Sequence, residues 1–283
     1  MVKNLTLVIP AYKSRKLLID HIKNIAKSIT IIVVDNSNNK KLKHELEKKN
    51  NNVKVFLKKN IGYGKAINFG SRFVKTKYFL VINPDTKIYK NTIKNLLLAA
   101  KKIKIFGAIS PDQIDNKKGN IKKRIFKKRK ELNGGAMLFD TKIFRKIKGF
   151  DENIFLYYEE TDYFRKCNIL NYNLFLIRNS YFYHSIKGDS SSAFFVDKKE
   201  KEYSRLVAGW HGQWSKFYYF KKYNGYLYSL LKCFPNLITN LLQLIIKLII
   251  APKKTKYIYF KIEGLLASII GLPSFKRNKY YVF

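Results

Sequence analysis

The chain has 283 residues, 46% of them hydrophobic, and carries 57 Lys and Arg against 19 Asp and Glu, a formal net charge of +38. That content excludes an unstructured chain and allows one large domain, or one domain with an appendage. Two cysteines, Cys167 and Cys233, exclude a disulfide framework and point to a reducing compartment.

Apolar runs at 5–10, 30–34, 53–58, 78–83, 105–110 and 134–139 are short and rich in Val, Ile and Phe, the pattern of buried strands. The first, Leu5 to Pro10, is too short and too strand-like for a signal peptide, and none is expected. Amphipathic segments at about 14–28, 64–75 and 90–102 read as helices. The alternation predicts an α/β domain with a mostly parallel sheet, whose ligands gather at the carboxyl ends of the strands. Asp35, Asn60, Asn83 and Asp85 follow directly on apolar runs and are expected at one crevice. Residues 112–131 read as a solvated Lys-rich loop, and a second αβ portion covers 133–184. Beyond about residue 200 the chain turns aromatic and basic, then strongly apolar over 226–250, interrupted by Pro235, Asn236, Asn240, Gln243 and Lys247. The run Leu237–Ala251 is 15 residues, about 22 Å as a helix, against the ~30 Å of a hydrocarbon core. An interfacial helix fits it better than a span; a helix packed on the domain, or on a second copy in a homo-oligomer, is the other reading.

Several stretches carry chemistry. Asp35, in Val33-Val-Asp-Asn-Ser37, suits a hydrogen bond from a base or a ribose; a plain turn or a helix cap explains it equally. Asn60-Ile-Gly62-Tyr-Gly64-Lys65 permits a tight turn at a helix start, whose amides suit phosphate oxygens, although neither a dinucleotide fingerprint nor a P-loop is present. In Asn83-Pro84-Asp85 the proline ends the strand and Asp85 is placed to hold a hard divalent cation that also binds phosphates; the alternative is a turn residue. The cluster Glu159-Glu160-Thr-Asp162 with Arg165 begins a helix, where acidic side chains also serve the macrodipole. If Arg165 pairs with Asp162, Glu160 is left as a general base. His184 ends an aromatic run and is a candidate metal ligand; His21, His44 and His211 are read as surface or packing residues.

Together these residues resemble the family 2 glycosyltransferases of GT-A fold, and within them the bacterial rhamnosyltransferase-like enzymes of polysaccharide assembly. The likeness runs in order through Val8-Ile-Pro10-Ala-Tyr12, Val33 to Ser37, Asn60 to Gly64 with Asn68 and Gly70, Asn83-Pro84-Asp85, Gly134-Gly135, Gly149-Phe-Asp-Glu152, Glu159 to Asp162, and His184 with Gly188 and Ser190. It covers about residues 3–195.

The resemblance implies a GT-A domain over 1–200: a Rossmann-like, mostly parallel mixed sheet flanked by helices. Residues 1–110 would bind the nucleotide sugar and 111–200 the acceptor. A helical, apolar-basic extension, 201–283, would associate with a membrane or a second copy. Pro10, Tyr12, Asp35, Asn60, Gly62, Lys65 and Asn83 would bind the donor; Gly134, Gly135 and Tyr158 would border the acceptor. Asp85 and His184 would hold Mn²⁺ or Mg²⁺. Glu160 would be the base, with Glu159 and Asp162 beside it. Many relatives have Asp preceded by Glu at that place, so Glu159 competes with Glu160.

The activity implied is inverting transfer of a sugar, first dTDP-rhamnose and then UDP-sugars, to a glycan or lipid-linked acceptor. The enzyme would be cytoplasmic and peripheral at the inner face of the cell membrane. The charge suits that anionic surface. Nine of the basic residues are Arg and the rest Lys. A+T-rich codon usage yields such a mixture too, and scarce Arg argues against nucleic acid as a partner. A basic RNA-binding module and a glycoside hydrolase are the rival classes. Neither needs the glycine turn together with Asn83-Pro84-Asp85.

Overall fold

The computed structural model describes residues 4–23, 25, 27–89, 91–114, 125–184, 198–252 and 255–277. They form two compact units, one of 1–151 with 160–190 and one of 152–159 with 191–283.

The first unit is built on a sheet whose central strands bury both faces. In β1 (Leu5–Ala11), Leu5, Leu7 and Ile9 enter one core while Val8 enters the other. In β4 (Tyr78–Ile82), Tyr78, Leu80 and Ile82 face the first core while Phe79 and Val81 face the second. Apolar residues on both sides of a strand demand cover on both sides, and helices supply it. The first layer holds α1 (Arg15–Lys23), α2 (Lys40–Lys49) and α4 (Thr92–Ile103), through Leu18, Leu42, Leu46, Leu96 and Leu97. On the opposite layer lie α3 (Tyr63–Ser71), α5 (Thr141–Lys146) and α6 (Glu159–Ile169), through Ile67, Phe144 and Tyr163. Gly70 lets α3 dock closely: a Cβ there would stand 2.8 Å from Val8 and 3.1 Å from Val34.

With β2 (Thr30–Asp35), β3 (Val53–Leu57), β5 (Thr86–Ile88), β6 (Ala108–Gln113), β7 (Phe126–Arg129), β8 (Ala136–Asp140) and β9 (Leu174–His184), the strand order is β3-β2-β1-β4-β8-β6-β9-β5, with β7 on β9. The β1–β2, β2–β3, β1–β4 and β6–β9 pairs are parallel. Antiparallel pairing enters where β8 inserts between β4 and β6, and again at β5 and β7 against β9. The fold is thus the mixed α/β sheet with flanking helices that the sequence leads one to expect.

Three details differ from the sequence reading. The stretch 112–131 is no single loop: β6 runs to Gln113, and Phe126–Arg129 forms an edge strand that leaves its charged side chains exposed. Its residues 115–124 lie outside the described ones. Helix α2 carries few apolar residues; it is held by Leu42, Leu46 and the Asn39 cap, whose Oδ1 accepts from Leu42 N–H at 2.9 Å. The helix expected over 14–28 closes at Lys23.

The second unit consists of α7 (Lys198–Asn224), α8 (Tyr226–Ile250) and α9 (Thr255–Ile269), with 152–159 and the strap after α9 packed against them. Helices α7 and α9 cross closely, since a Cβ on Gly264 would lie 2.2 Å from Trp210 O. Pro235 does not break α8, which is continuous over 25 residues. Pro235 is exposed, and the hydrogen bond it forgoes is to the carbonyl of the equally exposed Leu231.

Candidate active site

The carboxyl ends of β1, β2 and β3 form the first wall. Asp35 is buried, and its Oδ2 accepts from Asn39 N–H at 2.7 Å while Oδ1 accepts from Ser37 N–H at 3.1 Å and from the Ser37 hydroxyl. The turn reading accounts for these bonds. Pro10 is buried in β1, opposite Val34, with Tyr12 half-buried just beyond. Asn36 ties this wall to the glycine turn, its Nδ2 donating to Gly62 O at 3.2 Å. Gly62 has φ +91, a conformation that needs glycine, and its N–H donates to Asn60 Oδ1 at 3.2 Å. Lys65 follows, half-buried, in the first turn of α3. Asn68, by contrast, braces the fold: its side chain exchanges two 2.9 Å hydrogen bonds with the backbone of Phe150.

The second wall is the turn after β4. Asn83 N–H donates to Gly135 O at 3.2 Å, and the Thr86 hydroxyl donates to the same carbonyl at 3.0 Å. Asp85, 2% exposed, sits between them in sequence. The Tyr63 hydroxyl lies 3.1 Å from Asn83 Oδ1 and 3.2 Å from Gly134 O, so its single proton has an acceptor on either side. Sequence reasoning passed over Tyr63. Its place between the two glycines of the turn was the available signal.

Glu160 closes the arrangement from the N-terminus of α6. A Cβ on Gly134 would stand 1.9 Å from Glu160 Oε1, so the carboxylate occupies the space that this glycine leaves. Although Glu160 is half-buried by exposure, loss of solvent around the carboxyl pushes it up to about 7, and a hydrogen bond from its own backbone opposes the rise. Asp162 is fully buried, with Lys166 Nζ 3.6 Å away, and the same ammonium donates to Gly149 O. Lys166, one residue beyond Arg165, thus braces Asp162.

His184 pairs with Thr86 across β5 and β9, which brings its backbone beside the Asp85 turn; its side chain, Gly188 and Ser190 lie outside the described residues. Among the described residues no group of three or more His, Cys, Asp or Glu could hold a metal. One carboxylate on a turn fits a divalent cation that arrives with phosphate oxygens and keeps waters. It does not fit a cation caged by protein alone.

Tyr158 and Glu159 belong to the second unit. Tyr157 and Tyr158 both adopt positive φ, +65 and +67, which costs about 1–3 kcal/mol at each. The helical unit holds them there. Tyr158 packs 5.3 Å from the Tyr219 ring, Leu156 O accepts from the Ser215 hydroxyl at 2.9 Å, and the Ser274 hydroxyl donates to Asn153 O at 2.8 Å. Phe155 lies between the His211 ring, 4.6 Å away, and the Arg277 guanidinium, 3.8 Å away. Burial pushes His211 down to about 3, so it is neutral and serves packing, as expected of it.

Gly134→Ala is expected to lower turnover about 10²-fold with little change in melting temperature. The methyl must push aside the flexible end of Glu160, and a small misplacement of a reacting group is costly. The shorter acid in Gly134→Ala/Glu160→Asp should restore part of the loss. A fully active Gly134→Ala variant would show that Glu160 need not stay where it is.

Residues 6–175 match the family model described as Glycosyl transferase family 2. Among curated protein sequences, none matches this chain significantly. Among solved structures, S. aureus TarS 1–349 in complex with UDP-GlcNAc superposes with a TM-score of 0.53 at 14% identity, over 95% of this chain and 92% of that one. A longer TarS chain is spanned over 39% of its length, and 73% of this chain, with a TM-score of 0.50 at 16% identity. Mannosyltransferase PcManGT from Pyrobaculum calidifontis, in complex with GDP-Man and Mn²⁺, gives 0.57 at 13% identity over 94% and 87%. GalNAc-T7 with UDP, GalNAc and Mn²⁺ gives 0.54 at 14% identity over 76% and 50%. Such identities establish the fold.

Proposed function

Because the chain belongs to glycosyl transferase family 2, we propose that it moves a sugar, rhamnose first among the candidates, from a nucleotide-diphosphate donor to a hydroxyl of a glycan or lipid-linked acceptor, with inversion. The observation that carries this reading is the junction at Gly134–Gly135. There the Glu160 carboxylate fills the space beside one glycine while the Asn83–Thr86 turn is bonded to the carbonyl of the next. On this reading the base, Glu160, and the turn that carries Asp85 both adjoin one short loop.

The donor end comprises Pro10, Tyr12, Asp35, Asn60, Gly62, Lys65 and Asn83. Its glycine turn directs amides, and Lys65 a cation, toward diphosphate oxygens. Asp85 and His184 would hold a divalent cation; when bound, it neutralises the charge that grows on the departing diphosphate. Glu160 takes the proton from the acceptor hydroxyl as that oxygen attacks the anomeric carbon. The anomeric C–O bond to the diphosphate breaks, and its electron pair leaves with the nucleotide. One displacement inverts the configuration. Asp162 stands beside Glu160 in α6, and Glu159 is the alternative base.

The acceptor is proposed to be carried on lipid at the inner face of the cell membrane. The exposed apolar residues of α8 and the basic charge support that placement. The test is a melting-temperature panel of dTDP-rhamnose, UDP-sugars and GDP-mannose, each with and without Mn²⁺ or Mg²⁺. The cognate donor is expected to raise the melting temperature most, and only with the cation, because it binds the folded state alone. No rise with any donor at saturating concentration would overturn the assignment of this site.

A further inference from the structure

Helix α8 turns most of its apolar side chains outward, with Leu230 and Leu237 packed inward beside Cys233. Its covered stripe is Ser229, Cys233 and Asn240, exposed by 3% or less, while the opposite side carries Leu227, Leu231, Leu242, Ile245 and Ile249, each more than half exposed. Ser229, Cys233 and Asn240 recur at helical spacing, and so do the apolar residues of the outer side. A helix of a water-soluble bundle shows the reverse polarity, because apolar surface left in water is costly. The helix is long and apolar enough to cross a membrane, and little of it is buried inside the protein.

We propose that α8 lies in the plane of an anionic bilayer, its Leu227–Ile249 side among the acyl chains and its Ser229–Asn240 side against α7 and α9. This deepens the membrane placement proposed above by naming the element, the face and the depth.

Charge selects the occupant. From residue 201 onward the sequence has 14 Lys and Arg against two acidic residues, Glu202 and Glu263. A second copy seated on α8 would set this excess of positive charge against itself, whereas an anionic leaflet attracts it. Packing selects the orientation. Phe217 of α7 and Leu265 of α9 cluster with Cys233. Those two helices also carry Lys216, Lys221, Lys222, Lys256 and Lys261. A spanning α8 would draw these charges into hydrocarbon; an in-plane α8 leaves them in water. Lys232 and Lys247 reach the headgroups from such a helix by extending their stems.

The test uses the full chain and vesicles of phosphatidylcholine, with and without phosphatidylglycerol, and no sugar donor. It therefore reads lipid binding whether or not the transferase reading holds. Flotation with the phosphatidylglycerol vesicles is expected, and Ile245→Glu/Ile249→Glu should weaken it about tenfold or more at unchanged melting temperature, since both positions are exposed. Fluorophores on cysteines introduced at Leu231, Leu242 and Ile249 should be quenched at one shallow depth by spin-labelled lipids. A deepest reading at Leu242, as a span would give, overturns the orientation. Failure to float, binding unaffected by the double glutamate variant, or a dimer that keeps α8 from lipid overturns the proposal itself.

Discussion

Glu160→Gln is expected to lower sugar transfer by about 10²–10⁴-fold while donor binding persists, because the amide keeps the shape of the side chain and loses only its basicity. The pH profile gives an independent reading. Burial lifts the Glu160 carboxyl from its ordinary 4.5 to about 7. The base acts when ionised, so turnover should rise as pH climbs toward about 7 and level off above it, with a slope near one per unit on the acid side. Stability runs the opposite way. A carboxyl raised on folding contributes stability that is fully present below 4.5 and is lost as pH rises through about 7. The wild type should therefore melt at lower temperature at pH 8 than at pH 5 by a margin that the Gln variant lacks. The role of Glu160 falls if the Gln variant turns over like wild type, or if wild-type activity stays level across that range.

The second large effect is expected at Asp85. Asp85→Asn preserves volume at a position 2% exposed and removes the charge on which a cation would sit. Transfer should drop about 10²-fold or more. The rise in melting temperature that the donor produces with Mn²⁺ should vanish, since ligand stabilisation disappears with affinity for the folded state. The melting temperature without donor reports separately on folding. Glu160→Gln is the control, for it should keep the cation-dependent rise that Asp85→Asn loses. A cation-dependent rise of full size in Asp85→Asn would place the cation elsewhere.

The architecture was legible wherever burial acts on neighbouring residues. Strands β1, β2 and β4 announce themselves because each is an apolar run that must fill two cores at once. Strands β5 and β7 did not. Thr86–Ile88 is three residues long and Phe126–Arg129 is mostly Lys and Arg, so neither carries a strand signal. Both owe their conformation to β9, which offers them backbone partners. In the site, Asp85, Glu160 and Gly134 stood out through their types and order. Tyr63 did not, since its hydroxyl meets Gly134 71 residues away along the chain.

The amino-acid order alone determined the alternation of strand and helix, the family, the residues worth testing and the basic, apolar character of the C-terminal part. Those are consequences of residue type at short spacing. Tertiary structure alone decided three matters. It inserted β8 antiparallel between β4 and β6, which carries Gly134–Gly135 to the Asp85 turn. It assigned 152–159 to the helical unit, where Ser215, Tyr219 and Arg277 hold a doubly left-handed turn that a short peptide would relax. It also turned α8 so that Ser229 and Asn240 are covered while leucines and isoleucines face outward. Each is set by contacts between residues far apart in sequence, and hydrophobic periodicity says that a helix has two faces without saying which of them the rest of the protein will cover.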